Sequence, residues 1–355
     1  MRKKLLIINK IQFGYHTDTF KYCQYLKDEF DITYICFDAK QTKINLENVN
    51  IVYVQHTGSF LNKGINFIKT SRKYIKKDNY NVIFIVYFQM SFLLGLLGSS
   101  HNTILDIRTG AVWKGLIKRR FDDLLIQFES RFFQHITVIS ECLRNRLNIN
   151  KSKVHILPLG SDSFVDQEKQ YDHINLLYVG SLNNRNISDT IYGLKIFLSN
   201  NKLKKNITYD IVGFGCELEE KKLLDAIIKT SLEDIVKFHG KVLYEKLEPF
   251  FEKNNVGICY VPITDYFNCQ PATKMFEYTN SGLVCIATRT DENAFFINHD
   301  NGILCEDTPE GFAKALEELY YNKVKYNTAD IKSTLEDFSW NAIVKNNLEV
   351  YINGI

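Results

Sequence analysis

Residues 268–288 read NCQPATKMFEYTNSGLVCIAT, and this stretch decides the fold. Before it, the apolar run Val256–Val261 has the length and character of a buried strand. A short polar loop leads to Pro271, which suits the first turn of a helix because its missing N–H has no partner there anyway. The pattern predicts a helix to about Ser281, stopped by Gly282 as a left-handed cap. A second apolar strand, Leu283–Ala287, follows. Strand, loop, helix, strand is a parallel α/β unit whose helix begins near the carboxyl end of a strand. Ligands of open α/β sheets bind there, and anions are favoured because free amides and the helix dipole converge. Lys274 and Glu277 are three apart and share a helix face. With a rise of about 1.5 Å per residue, Glu277 lies roughly 7–8 Å deeper than Ala272. A nucleotide diphosphate fits, with phosphates on the first-turn amides at Ala272 and Thr273 and on Lys274, and ribose hydroxyls on Glu277. Spacing alone equally allows an ordinary surface helix with a Glu–Lys contact.

The same alternation extends outward in both directions. Apolar runs at Leu5–Ile8, Ile32–Phe37, Ile51–Val54, Val82–Phe88, Thr103–Ile107, His135–Ile139 and Val154–Leu157 read as strands. Helical patterns such as Thr17–Phe30 and Ile65–Lys77 fall between them, which predicts βαβ units and a parallel sheet. The pattern breaks at Pro158-Leu-Gly-Ser-Asp162, and the polar stretch to Asn175 reads as an interdomain linker. A second set follows at Ile174–Val179, Thr208–Val212, Val236–Phe238, Gly257–Val261, Leu283–Ala287 and Gly302–Leu304. Helices at Ser188–Leu198, Glu217–Thr230 and Pro309–Tyr321 separate them. The expected fold is α/β: two Rossmann-like doubly wound domains, residues 1–163 and 164–335, with an amphipathic helical tail over 336–355.

Composition narrows the class. With 355 residues, 45% hydrophobic and 24% charged, the chain supports two full cores and is neither disordered nor a bundle of membrane spans. The apolar run behind the basic start MRKK is too short for a signal peptide. Val82–Gly98 is the one candidate span, and Gln89, Ser91 and Gly95 interrupt it, so it reads as a strand and a buried helix. Eight cysteines without C-x-x-C spacing read as reduced packing residues of a cytoplasmic protein. The sequons at Asn186 and Asn206 carry little weight without an export signal.

Charge is unevenly divided. Residues 1–163 hold 24 Lys and Arg against 13 Asp and Glu, a net of +11, and residues 164–355 hold 20 against 28, a net of −8. Lys118-Arg119-Arg120 sits among Trp113, Leu116, Ile117, Phe121, Leu124, Leu125 and Phe128. That mixture fits an anionic membrane surface, or a solvated helix face. No nucleic-acid motif accompanies the charge, so nucleic acid is not an expected partner.

P-x-x-K-x-x-E-Y over Pro271–Tyr278, closed by Ser281-Gly282 and an apolar strand, resembles the nucleotide-sugar segment of GT-B glycosyltransferases, in particular retaining family 4. Further motifs fall in the family's order. They are Val138-Ile-Ser-Glu141, Val154 to Gly160, Leu177-Tyr-Val-Gly180 with Arg185, Ile211-Val-Gly-Phe-Gly215, Phe238-His-Gly-Lys-Val242 and Asn301-Gly302. The resemblance implies two domains facing each other across a cleft, with the C-terminal helix crossing back to the first. It implies that Glu277 holds the donor ribose, and that Arg185 and Lys274 neutralise the leaving diphosphate. Gly14, Val242, Ala272 and Thr273 join them as implied donor-binding positions. A family member usually carries a glycine-rich loop after its first strand, and this chain has only Phe13-Gly14 there. Many members place a sugar-contacting glutamate eight residues before the ribose-binding one. Here that position is Cys269, with Asp265 four residues earlier, so donor identity stays open.

His16, Asp106, Arg108 and Asp265 are further candidates for acceptor or sugar, though Asp106 and Arg108 can equally pair with each other. The chain has no D-x-D, no third Rossmann glycine after Gly213 and Gly215, no P-loop, no G-x-S-x-G and no histidines at zinc spacing. No metal and no cofactor are therefore expected, the UDP- or GDP-sugar being a substrate. The expectation is a retaining, metal-independent transferase moving a sugar from such a donor to a hydroxyl of a lipid-linked oligosaccharide. Its setting would be bacterial surface-polysaccharide assembly at the inner face of the plasma membrane. A GT-B epimerase-like enzyme and a non-catalytic nucleotide- or sugar-binding module are the alternatives. No protein group is named as the base.

Overall fold

The computed structural model describes residues 2–56, 58–96, 102–111, 115–201 and 207–355. Gly98, His101, Trp113 and the Asn206 sequon lie outside the described residues. The chain divides into two compact units, residues 1–159 with 340–355, and residues 160–339.

Unit 1 is built on seven strands: β1 (Lys3–Ile8), β2 (Phe30–Asp38), β3 (Val49–Gln55), β4 (Val82–Val86), β5 (Asn102–Ile107), β6 (His135–Val138) and β7 (Val154–Ile156). All are parallel, in the order β3-β2-β1-β4-β5-β6-β7. Helices α1 (Thr17–Leu26), α2 (Phe60–Lys77), α3 (Phe92–Gly95), α4 (Leu116–Ser130) and α5 (Glu141–Arg146) connect them. The central strands are apolar at nearly every position because helices cover both faces of a parallel sheet; all five residues of β4 are buried. Sequence order reverses between β1 and β4, which is the switch point where such sheets bind ligands. The expected buried helix after β4 is reduced to the four residues of α3. Among the described residues no helix is long and apolar enough to cross a membrane.

The tail completes unit 1. It runs through a short α14 (Trp340–Ala342), a π-helical turn over Ile343–Leu348 and α15 (Glu349–Gly354). Trp340 is buried edge-on to Tyr22 of α1, with ring centroids 6.2 Å apart. Tyr351 stacks on His155 of β7 at 4.0 Å, and His155 Nε2 meets Asn347 Oδ1 at 2.7 Å.

Unit 2 holds six parallel strands: β8 (Ile174–Ser181), β9 (Ile207–Phe214), β10 (Val236–Phe238), β11 (Val256–Cys259), β12 (Val284–Thr288) and β13 (Gly302–Cys305). Their order is β10-β9-β8-β11-β12-β13, so the switch point lies between β8 and β11. The helices are α6 (Ser188–Asn201), α7 (Glu217–Thr230), α8 (Glu248–Lys253), α9 (Asp265–Asn268), α10 (Thr273–Asn280), α11 (Asp291–Phe296), α12 (Pro309–Asn322) and α13 (Thr328–Ser333). Both units are thus doubly wound α/β folds of the Rossmann type.

The polar stretch before Asn175 is not a free linker. Phe164 stacks on Phe251 at 4.1 Å, the Lys169 ammonium donates to the carbonyls of Phe251 and Glu252, and the Tyr171 hydroxyl donates to Gly282 O at 2.6 Å. Its few aromatic and aliphatic side chains are enough to pin it to unit 2, which composition hides. Cys23, Cys36, Cys259, Cys285 and Cys305 are buried free thiols, for which the packing role holds; Cys216 is exposed, and Cys142 and Cys269 are not free thiols, so the expectation of eight reduced packing cysteines fails for these three.

Candidate functional site

The site in unit 2 begins with the end of β8. Gly180 has φ +148, a backbone region that side-chain-bearing residues rarely adopt, and a Cβ there would lie 2.7 Å from Lys274 Nζ. A glycine is therefore required both by the backbone and by the lysine that leans over it. The loop after β8 turns through two left-handed asparagines, Asn184 (φ 57) and Asn186 (φ 51), which flank Arg185. Asparagine tolerates that conformation better than most residues. The turn aims the Arg185 guanidinium at the ring of Phe267 in α9, 4.1 Å from its centroid. That contact fixes the plane of the guanidinium.

The second half comes from α10. It starts at Thr273 rather than Pro271, with Ala272 as an N-cap in extended conformation that makes no side-chain capping bond. First-turn amides have no acceptor inside a helix, and here they belong to residues that line a cavity. At the other end Leu283 N–H donates to Tyr278 O and Gly282 N–H to Thr279 O, both at 2.9 Å. With Gly282 at φ +75, this is the left-handed glycine stop expected from the sequence. Tyr278 anchors the helix: its ring lies on β11 where a Cβ on Gly257 would come within 2.1 Å, and its hydroxyl accepts the Val179 N–H at 2.8 Å.

Between these parts lies an open cavity of about 390 Å³ at the β8/β11 switch point. Arg185, Ala272, Thr273, Lys274 and Glu277 all line it, and the structure adds Gln270, Tyr244 and Leu247. Lys274 Nζ stands 4.0 Å above the ring of the buried Tyr178. Burial pushes its ammonium down to about 8, and Arg185 pushes the same way, while Cys259 and Glu277 oppose. Burial pushes the Glu277 carboxyl up to about 7; Lys274 opposes this and Asp162 adds to it. Both side chains retain some surface toward the cavity, but protein atoms crowd them elsewhere. An anion beside Lys274 and hydroxyl donors beside Glu277 would supply the stabilisation that water supplies elsewhere.

Other expected positions are placed differently. Val242 is half-buried but does not line the cavity; Tyr244 and Leu247 from the same segment do. Asp265 is exposed at the start of α9. Cys269, where a sugar-contacting glutamate is common in the resembled family, is buried at the end of α9. Phe267 and Tyr178, the two aromatic platforms under the cations, went unnoticed in the sequence. The signal was available, since Tyr178 lies two residues before Gly180 and Phe267 seven before Lys274.

In unit 1, Gly14 follows β1 at φ +88, with Ile44 so close that a Cβ would lie 2.4 Å from its Cδ1. His16 caps α1, its Nδ1 accepting the Thr19 N–H at 3.4 Å, and burial holds its imidazole below the ordinary value. Asp106 is fully buried and accepts the Thr137 hydroxyl at 2.7 Å. Arg108 donates to Asp18 at 2.7 Å and to the carbonyls of Leu157 and Pro158, and lies 3.7 Å from Asp106. These charges hold unit 1 together and turn inward. On α4, Lys118 and Arg120 are exposed but Arg119 is buried, so the basic cluster divides. Ile117 (88% exposed), Phe121 (64%), Leu124 and Phe128 form an apolar stripe along the open face. Among the described residues no three His, Cys, Asp or Glu side chains are placed to hold a metal ion.

Residues 173–322 match the family Glycosyl transferases group 1. None of the curated proteins matches the chain. Solved structures superpose over its full length. Sucrose-phosphate synthase (tll1590) from Thermosynechococcus elongatus does so with a TM-score of 0.75 and 14% identity, covering 99% of both chains. Anabaena Alr3699/HepE in complex with UDP and glucose gives 0.75 at 12% identity and 100% of both. The lipopolysaccharide outer core galactosyltransferase WaaB gives 0.71 at 12% identity, covering 99% of this chain and 100% of that one. The segment 173–322 thus matches the glycosyl transferases of group 1, and the chain has the GT-B fold of the glycosyltransferase structures on which it superposes.

Proposed function

We propose that the chain is a retaining, metal-independent glycosyltransferase that uses a UDP- or GDP-sugar. Its acceptor is a hydroxyl of a lipid-linked oligosaccharide in bacterial surface-polysaccharide assembly. The observation that carries this reading is the convergence of Arg185, Lys274 and the first-turn amides of α10 on a cavity that also holds Glu277. As the glycosidic bond breaks, its electron pair goes to the diphosphate oxygen. The two fixed cations stabilise that charge where it develops. A leaving phosphate oxygen then takes the proton of the incoming hydroxyl, so no protein base is required. Glu277 accepts hydroxyl donors of the ribose. Gly14 and Val242 are proposed as donor contacts on the family resemblance, and His16 and Asp265 as acceptor or sugar contacts. The Anabaena structure with UDP and glucose supports the donor class, and the lipopolysaccharide galactosyltransferase supports the acceptor class.

Titration calorimetry with UDP and GDP tests the donor half. Glu277→Ala weakens binding of the preferred nucleotide by about 2 kcal/mol, or roughly 30-fold, as loss of a charged hydrogen bond does. Unchanged affinity sinks the assigned role.

The enzyme works at the inner face of the plasma membrane, to which α4 holds it. The apolar stripe Ile117–Phe121–Leu124–Phe128, with Lys118 and Arg120 beside it, has the make-up of a helix lying in an anionic interface. Sedimentation with anionic vesicles detects this, and the pair Phe121→Ser and Leu124→Ser abolishes it without changing nucleotide affinity. Absence of vesicle binding by the parent protein ends the membrane proposal.

A further inference from the structure

Unit 1 has its own cavity at its own switch point, about 340 Å³ in volume, at the carboxyl ends of β1 to β4 and beside α2. Its size falls within the ordinary range of small-molecule sites, about 300–1,000 Å³. Phe37, Ile65, Ile68 and Met90 make the apolar walls, His56 and Gln89 add polar edges, and Lys10 and Lys63 bring two ammonium groups to them. Ile65 and Met90 are nearly half exposed, so the fold leaves apolar surface open inside a concavity.

The Met90 wall is held deliberately. Met90 adopts φ +73, which is uncommon for a residue with a side chain. Glu129 of α4, itself buried, keeps it there. Its Oε1 accepts the Met90 N–H at 2.8 Å, and its Oε2 accepts the Ser91 hydroxyl at 3.1 Å and the Phe92 N–H at 3.2 Å. Lys10 Nζ stands 4.4 Å from the centroid of the Phe88 ring, and burial holds its ammonium below the ordinary value, with Glu129 opposing. Among the described residues neither Lys10 nor Lys63 has a carboxylate in ion-pair contact. Glu129, whose charge reaches Lys10, is already taken up by the 90–92 turn. That turn also joins the cavity to the apolar face of α4, because Phe92 packs against Phe132 at 5.2 Å and Phe128 at 6.4 Å.

An apolar slot with two unpaired cations, continuous with an exposed apolar face, fits an alkyl phosphate better than a sugar. We propose that this cavity binds the phosphate-proximal hydrocarbon of a prenyl-phosphate-linked acceptor. Lys10 and Lys63 meet its phosphate oxygens, and Phe37, Ile65, Ile68 and Met90 enclose its first branched carbons. The assignment rests on the lipid-linked acceptor proposed above and names the part of that acceptor which unit 1 recognises.

Calorimetry on the full chain without vesicles tests it, using geranyl phosphate, geraniol, inorganic phosphate and dihexanoylphosphatidylglycerol below its micelle concentration. Geranyl phosphate binds saturably and at least tenfold more tightly than the other three. The pair Lys10→Gln and Lys63→Gln reduces its affinity tenfold or more, and Lys10→Arg with Lys63→Arg restores it. Affinity for the preferred nucleotide, UDP or GDP, measured on the same samples, stays within twofold in every variant, which shows that they are folded. Geranyl phosphate binding no better than geraniol or phosphate overturns the proposal, as does indifference to the glutamine pair. Equal, lysine-dependent binding of the phosphatidylglycerol overturns the acceptor assignment in favour of a bulk-lipid site. Failure of the parent protein to bind either UDP or GDP strikes the donor reading instead, and its saturable binding of geranyl phosphate still decides this proposal.

Discussion

The two units solve one topological problem with opposite chemistry. Each has a parallel sheet whose order reverses beside its first strand, at β1/β4 and at β8/β11, and each has a cavity there. In unit 2 that cavity is ringed by Arg185, Lys274 and Glu277, with aromatic rings beneath the two cations. In unit 1 the walls are mainly apolar with Lys10 and Lys63 at their edge, and the charges in that unit's core, Asp18, Asp106 and Arg108, pair with one another instead of lining the cavity. The fold supplies the concavity, and the side chains at the strand ends decide what enters it. Charge that points into a cavity is available to a ligand, whereas charge that points into the core is structural.

The largest test of that distinction exchanges one arginine and one lysine for alanine. Lys274→Ala removes a cation from the developing charge of the leaving diphosphate. It lowers kcat/KM for nucleotide release by about 10²–10³-fold, the usual effect of losing one such stabiliser, and leaves thermal unfolding nearly unchanged. Arg108→Ala does the reverse. It strips partners from two carboxylates and two carbonyls in the core, costing about 3–5 kcal/mol of stability as broken buried ion pairs do. Comparable activity losses at equal melting temperature would show that Arg108 also serves the reaction and that the two charge sets are not distinct.

Much of this contrast was legible beforehand. Parallel strands buried on both faces leave continuous apolar runs, so β1, β4, β8 and β12 are visible without any structure. The donor constellation was legible for the same local reason: Ala272 to Glu277 lie on one helix, and Arg185 follows one strand. What the sequence hid is long-range. Arg108 and Asp18 are 90 residues apart, and no periodicity couples them. The buried face of Arg119 became evident only when α4 had a sheet to lie on. The tie of segment 164–171 to Phe251 and Gly282 likewise crosses more than eighty residues. The unit 1 cavity draws on five separate stretches and has no motif at all.

A finer test uses protonation. In unit 2 burial leaves Lys274 charged mainly below about pH 8 and Glu277 ionised mainly above about pH 7. Nucleotide binding wants both charged: the ammonium for the diphosphate, the carboxylate for the ribose hydroxyls. Raising pH through 8 removes the first and lowering it through 7 removes the second, so affinity peaks in the narrow window between. Each limb falls by up to tenfold per pH unit, the limit for a single linked proton. UDP-glucose is the suitable titrant if UDP is the preferred nucleotide, because its diphosphate has no ionisation near neutrality. Lys274→Arg keeps its charge at all these pH values and flattens the alkaline limb. Glu277→Gln binds more weakly and flattens the acid limb. A nucleotide profile that stays flat from pH 6 to 9 would mean that neither group carries the donor, and the contrast between the two cavities would then rest on shape alone.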